Sequence, residues 1–160
     1  LPSRGLGDVY KRQGYRMLLV CSNSTKRFFP DIKRKMIVSS SMSAKDLEKL
    51  KNSEETVIAV GGGAVIDVAK IICRSPITCY PTTAAGTCYT SHSVYWDGPN
   101  KKSISVPIPN KVVVKEEFLT DLPEMIIRNT RFDAISHCLD SLWSKRKTKQ
   151  SEYLLSLIHI

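Results

Sequence analysis

The stretch from residue 57 to 70, VIAVGGGAVIDVAK, constrains the fold more than any other part of the chain. Four consecutive apolar residues, Val57 to Val60, predict a strand buried on both faces. Gly61, Gly62 and Gly63 turn the chain. Ala64 to Cys73 then predicts a helix, with Val65, Val68, Ala69 and Ile72 at core spacing. A strand that passes through glycines into a helix belongs to a parallel α/β sheet. Glycine lets the backbone approach a ligand closely. The helix N-terminus adds unpaired N–H groups and partial positive charge, which suit a phosphate. The loop is neither Gly-x-Gly-x-x-Gly nor a Walker loop, because no Gly-Lys-Ser/Thr follows. On these residues alone two readings stand, a phosphate site or a tight turn with no ligand. Asp67 and Lys70, three apart, share one flank of the helix.

Further short strands are predicted at Met17–Cys21, 35–39, Ile77–Tyr80 and 112–114, with a helix over 44–52. Asp97-Gly98 marks a hairpin turn between strands 93–96 and 102–106. After Leu122-Pro123 the texture changes. Residues 124–129 and 132–144 both look helical, and no further strand is expected. A domain boundary therefore falls near Pro123. The fold class is α/β, a Rossmann-like parallel-sheet domain, incomplete, followed by the start of an all-helical domain.

In the second helix Phe132, Ile135, Leu139 and Leu142 fall on one face and predict burial. Asp133 and His137 are four apart, with Asp140 a further turn along the same side. A carboxylate and an imidazole at this spacing can share a divalent metal, or simply form a surface ion pair. His92 and His159 have no evident partner.

Composition narrows the classes. Hydrophobic residues make up 42% and charged residues 24%, as in a globular domain. No apolar run reaches a membrane span, and no secretory signal is visible. Five cysteines, an odd number without a Cys-x-x-Cys pair, predict reduced thiols and a cytoplasmic setting. The net charge is +9, but Lys and Arg are scattered and no basic stripe with interleaved aromatics appears, so no nucleic-acid partner is expected.

The two ends are expected not to be natural protein. Residues 8–13 read DVYKRQ and residues 155–160 read LSLIHI. GAT GTG TAT AAG AGA CAG encodes the first, and its reverse complement encodes the second. The string resembles the transposon mosaic end of tagmentation libraries, and residues 3–7 resemble the adaptor preceding it. Segments 1–13 and 155–160 are therefore set aside. Residues 14–122 remain as the partial α/β domain and 123–154 as a truncated helical one.

Three motifs then point the same way: GGGAVIDVAK at 61–70, PTTAAGTCYTS at 81–91 and DAISHCLD at 133–140. In order and spacing they resemble the iron-containing (group III) alcohol dehydrogenase family, of the dehydroquinate-synthase-like fold. The resemblance implies that Gly61, Gly62, Gly63, Ala64, Val65 and Asp67 hold the pyrophosphate of NAD or NADP. It implies that Thr82, Thr83 and Thr90 line the cofactor groove and that Lys102 contacts its ribose side. Asp133 and His137 would be two of four ligands to a divalent metal, Fe2+ or Zn2+, with no catalytic residue beyond the ligands. Three departures from the family pattern stand out. Ala64 replaces Ser, which leaves only backbone donors there. Cys88 falls at a Glu position beside a one-residue deletion. Asp140 replaces Glu. The implied protein is a fragment, itself inactive, of a homo-oligomeric enzyme moving hydride between nicotinamide and a small alcohol or aldehyde. The alternatives are a glycerol dehydrogenase-like or phosphonoacetaldehyde reductase-like member, a dehydroquinate-synthase-like lyase, or a nucleotide-binding remnant.

Overall fold

The computed structural model describes residues 17–38, 46–47, 56–73, 76–84, 86–120 and 122–156. Its elements are β1 (Met17–Cys21), β2 (Lys35–Ile37), β3 (Thr56–Gly61), α1 (Gly63–Ile72), β4 (Ile77–Pro81), β5 (His92–Asp97), β6 (Asn100–Ser105), β7 (Lys111–Val112), α2 (Glu124–Trp143) and α3 (Lys149–Ser156). Short 3-10 turns lie at Lys26–Phe28, Gly86–Tyr89 and Glu116–Phe118. Of the helix predicted over 44–52, only Asp46 and Leu47 are described, both helical. Residues 1–16 and 157–160, most of the two segments set aside at the ends, lie outside the described residues. Residues 155 and 156 form the end of α3.

The chain divides into two compact units between Leu122 and Pro123. In the first, five parallel strands form one sheet in the order β2-β1-β3-β4-β7. The apolar strand β3 is central, paired with β1 through Leu18↔Val57 and with β4 through Val57↔Ile77. Its alternation feeds two cores. Val57 and Ala59 join Leu18, Val20, Cys79 and α1 on one face. Ile58 and Val60 join Leu19, Cys21, Tyr80 and Phe118 on the other. Burial on both faces is why these strands read as unbroken apolar runs. The second face is closed by aromatics: Phe28 stacks on Phe118 at 4.1 Å, and Phe29 tilts against Tyr80 at 5.0 Å.

β5 and β6 form a separate antiparallel hairpin, paired from His92↔Ser105 to Asp97↔Asn100. Gly98 takes φ +60° at the first of the two turn positions, a left-handed conformation that suits glycine. Pro99 follows with its ring-fixed φ.

The second unit holds α2 and α3. One uninterrupted helix of 20 residues replaces the two helices predicted on either side of Thr130 and Arg131. Thr130 has no helix-breaking effect because its hydroxyl donates back to Ile126 O at 2.9 Å. The predicted burial of Phe132, Ile135 and Leu139 is corrected: all three are exposed, as are Met125 and Trp143. The apolar stripe exists, but no described element of this unit covers it. Among the described residues no helix is long and apolar enough to cross a membrane.

Candidate functional site

The connections decide where a ligand can sit. β1 leads to β2 on one side, and the chain then returns to place β3 on the other side of β1. Successive connections thus leave β1 and β3 in opposite directions and open a crevice at their C-terminal ends. Two loops flank it. After β1, Ser22 to Thr25 form a hydroxyl-rich turn, in which Ser22 N–H donates to Thr25 Oγ1 at 2.9 Å. Thr25 Oγ1 in turn donates to Val60 O at 2.7 Å, which ties this turn to the strand leading into the glycines. After β3 comes the glycine loop.

Gly61 lies against α1, where an added Cβ would fall 2.6 Å from Val65 Cγ2. Only glycine lets the helix start this close to its strand. Gly62 is the N-cap, and its carbonyl accepts from Val65 N at 3.1 Å and Ile66 N at 3.2 Å. Among the described residues the first-turn N–H groups of Gly63 and Ala64 have no such acceptor and are available to a ligand. Thr83 covers the loop from β4, since a Cβ on Gly62 would meet its Cγ2 and Oγ1 at 3.4 Å. Thr82 is buried, and its N–H donates to Gly61 O at 3.1 Å. Val65 is buried and packs beneath the loop.

The remaining residues named from the sequence lie on α1, in the segment after β4 and on the hairpin. Asp67 and Lys70 are both buried and turned toward the segment after β4. Asp67 Oδ1 accepts from Thr87 Oγ1 at 2.5 Å, and Lys70 Nζ donates to Thr87 O and His92 O at 2.7 Å each. Thr90 Oγ1 donates to His92 O at 3.0 Å and receives Lys70 Nζ at 3.4 Å. Lys102 stands on the exposed hairpin, ion-paired with Asp97, whose hydrogen bond raises the ammonium's pKa. The sequence reading missed Thr87 and Thr25, and named Asp97 as a turn residue without its pairing to Lys102. All three act through contacts formed only once a turn or hairpin has closed, and no local spacing signals them.

In the second unit, Asp133 and His137 project from one side of α2, with His137 Nε2 3.7 Å from Asp133 Oδ1. Both side chains are mostly exposed. Two donors this close can bind one ion at ordinary ligand distances. No third His, Cys, Asp or Glu joins them among the described residues, so Asp140 stands apart.

A parallel sheet with a glycine loop at its switch point defines the class of dinucleotide-binding α/β proteins. The model of the family described as iron-containing alcohol dehydrogenase matches residues 9–123, and the chain belongs to that family. Its members are NAD(P)-dependent oxidoreductases that also use a divalent metal. The chain is 33% identical over 97 residues to a maleylacetate reductase of Pseudomonas knackmussii, covering 58% of this chain and 28% of that protein. It is 26% identical over 142 residues to a glycerol-1-phosphate dehydrogenase [NAD(P)+] of Methanococcus maripaludis, covering 84% and 41%. An iron-containing alcohol dehydrogenase structure from Thermotoga maritima superposes with a TM-score of 0.74 at 20% identity, covering 94% of this chain and 54% of that one. The chain thus spans from about a quarter to about half the length of these relatives.

Proposed function

We propose that the chain is the dinucleotide-binding part, with half of a metal site, of an NAD(P)-linked dehydrogenase acting on a small alcohol or aldehyde. The observation that carries this reading is the Gly61–Gly63 loop at the sheet's switch point, with Thr83 against Gly62 and the Gly63 and Ala64 N–H groups without a partner among the described residues. Those two N–H groups and the α1 dipole bind the pyrophosphate without a side-chain hydroxyl, because Ala64 supplies none. Val65 sets the loop's height above the core. Thr82, Thr83 and Thr90 line the groove, Asp67 supports it from below, and Lys102 faces the ribose side.

Asp133 and His137, side by side on α2, would hold the ion. When bound, Fe2+ or Zn2+ supplies Lewis-acid stabilisation of negative charge on the substrate oxygen. No protein nucleophile is required, and the protein's part is to position cofactor and substrate. The remaining ligands belong to the rest of a homo-oligomeric, cytoplasmic enzyme, so this chain alone turns nothing over. Segments 1–13 and 155–160 are translated adaptor, and sequencing the parent DNA outward through both ends checks that. A parent running on into helices with two further histidines completes the metal site.

The direct test is titration of NADH and NADPH into the chain, followed by nicotinamide fluorescence. Saturable binding is expected, weakened about tenfold or more by Gly62→Val, whose branched side chain fills the loop mouth against Thr83. Absence of saturable binding by the unaltered chain overturns the reading.

A further inference from the structure

Lys70 is 1% exposed, yet among the described residues its ammonium meets no carboxylate within ion-pairing distance. It donates instead to two backbone carbonyls, Thr87 O and His92 O, at 2.7 Å each, and to Thr90 Oγ1 at 3.4 Å. Asp67, one turn earlier on α1, accepts from the Thr87 hydroxyl. The carbonyl and the hydroxyl of Thr87 are therefore both held by one helix. Desolvation lowers the Lys70 pKa and the nearby Asp67 charge opposes that shift, so keeping a cation here is costly. An apolar side chain of the same volume would fill the space without that cost. The charge does one thing an apolar group cannot: it grips oxygens 17 and 22 positions further along the chain.

Those oxygens lie a few residues after Thr82 and Thr83, which contact the glycine loop. The near end of this segment is set by the Thr82 N–H on Gly61 O and by Thr83 against Gly62. Its far end is the 3-10 turn Gly86–Tyr89 and the start of β5. We propose that Lys70, with Asp67, is a positioning residue for the dinucleotide. It ties the far end of residues 82–92 to α1, so that the threonine wall and the phosphate-facing helix terminus move as one body. Lys70 touches no cofactor in this scheme and acts through Thr87 and His92. The inference rests on the dinucleotide reading given above.

The test compares NADH affinity for the unaltered chain, Lys70→Met, Thr87→Val and Leu19→Ala. Leu19 lies in the core on the opposite face of the sheet and serves as a control for lost stability. Affinities are read at a temperature where circular dichroism shows each variant folded. Lys70→Met is expected to bind about tenfold more weakly and Thr87→Val about threefold, because small misplacements of a binding group cost heavily. Leu19→Ala is expected to melt earlier but keep its affinity. If folded Lys70→Met binds like the unaltered chain, or if Leu19→Ala loses affinity in step with its melting temperature, the proposal is overturned. Should Lys70→Met not fold, Thr87→Val decides, and unaltered affinity in that variant overturns it too. Failure of the unaltered chain to bind NADH overturns the dinucleotide reading itself, a result distinct from a loss or retention confined to the variants.

Discussion

Gly61 has no room for a side chain, because a Cβ there would overlap Val65 at 2.6 Å. Gly61→Ala must push α1 off the end of β3 and is expected to lower unfolding stability by about 1–3 kcal/mol, measured by urea titration. The buried thiols make a prediction about pH. Burial, and then the neighbouring Cys88, push the Cys79 pKa from 9.0 up to about 12. Burial also raises the Cys21 and Cys88 pKa values. The folded state therefore keeps protons that the unfolded chain gives up. Stability from these thiols is intact below pH 9 and falls as the pH climbs toward 12. Thermal melts across that range are expected to show the loss, and Cys79→Ala is expected to make it shallower. At this scale the glycines were legible in the sequence, since three in a row between a strand and a helix have few other uses. The partners of Asp67 and Lys70 were not. Their flank of α1 could be read from spacing, but what faced it depended on a 3-10 turn with no periodicity of its own.

The turn after β1 and the helix α2 are the elements on which the proposed function can be tested. Thr25 joins its own turn to β3 through Val60 O. Thr25→Val keeps the shape and deletes the donor, leaving a buried carbonyl unpaired. A loss of about 1–3 kcal/mol is expected, with weaker NADH binding if the turn then drifts from the crevice. On α2, Asp133→Ala and His137→Ala each remove one of the two converging donors. In the enzyme that carries this chain, either is expected to cut metal content and turnover by about 100-fold or more; unchanged turnover would sink the assignment. The Asp133–His137 spacing was legible because helix geometry fixes what lies four residues away. The continuity of α2 was not. Thr130 and Arg131 interrupt the apolar pattern without interrupting the backbone, and Thr130 spends its hydroxyl on the helix itself.

For the molecule as a whole, apolar runs such as Val57–Val60 announced a sheet covered on both sides, and the strand-then-helix texture made it parallel. Strand order was a different matter. Nothing in residues 17–61 states that the chain returns past β1 before laying down β3, yet that reversal opens the crevice. The family resemblance supplied what local patterns could not, and the match over residues 9–123 places the fold within it. The exposed stripe on α2 belongs to the same scale, since Phe132, Ile135, Leu139 and Trp143 all face solvent. A fluorescent apolar dye is expected to bind the chain through this stripe, and Phe132→Glu with Trp143→Glu to abolish most of the signal.

The sheet's outer strands are β2 and β7, three and two residues long. Stubs of that length offer very few free amides in a row, and both β2 and β7 carry a lysine, Lys35 and Lys111. Such margins are poor templates for growth by strand addition. Material that precipitates from concentrated solutions of this chain should therefore be amorphous, clumped through helix grease, and should not give the ordered ribbon diffraction of amyloid.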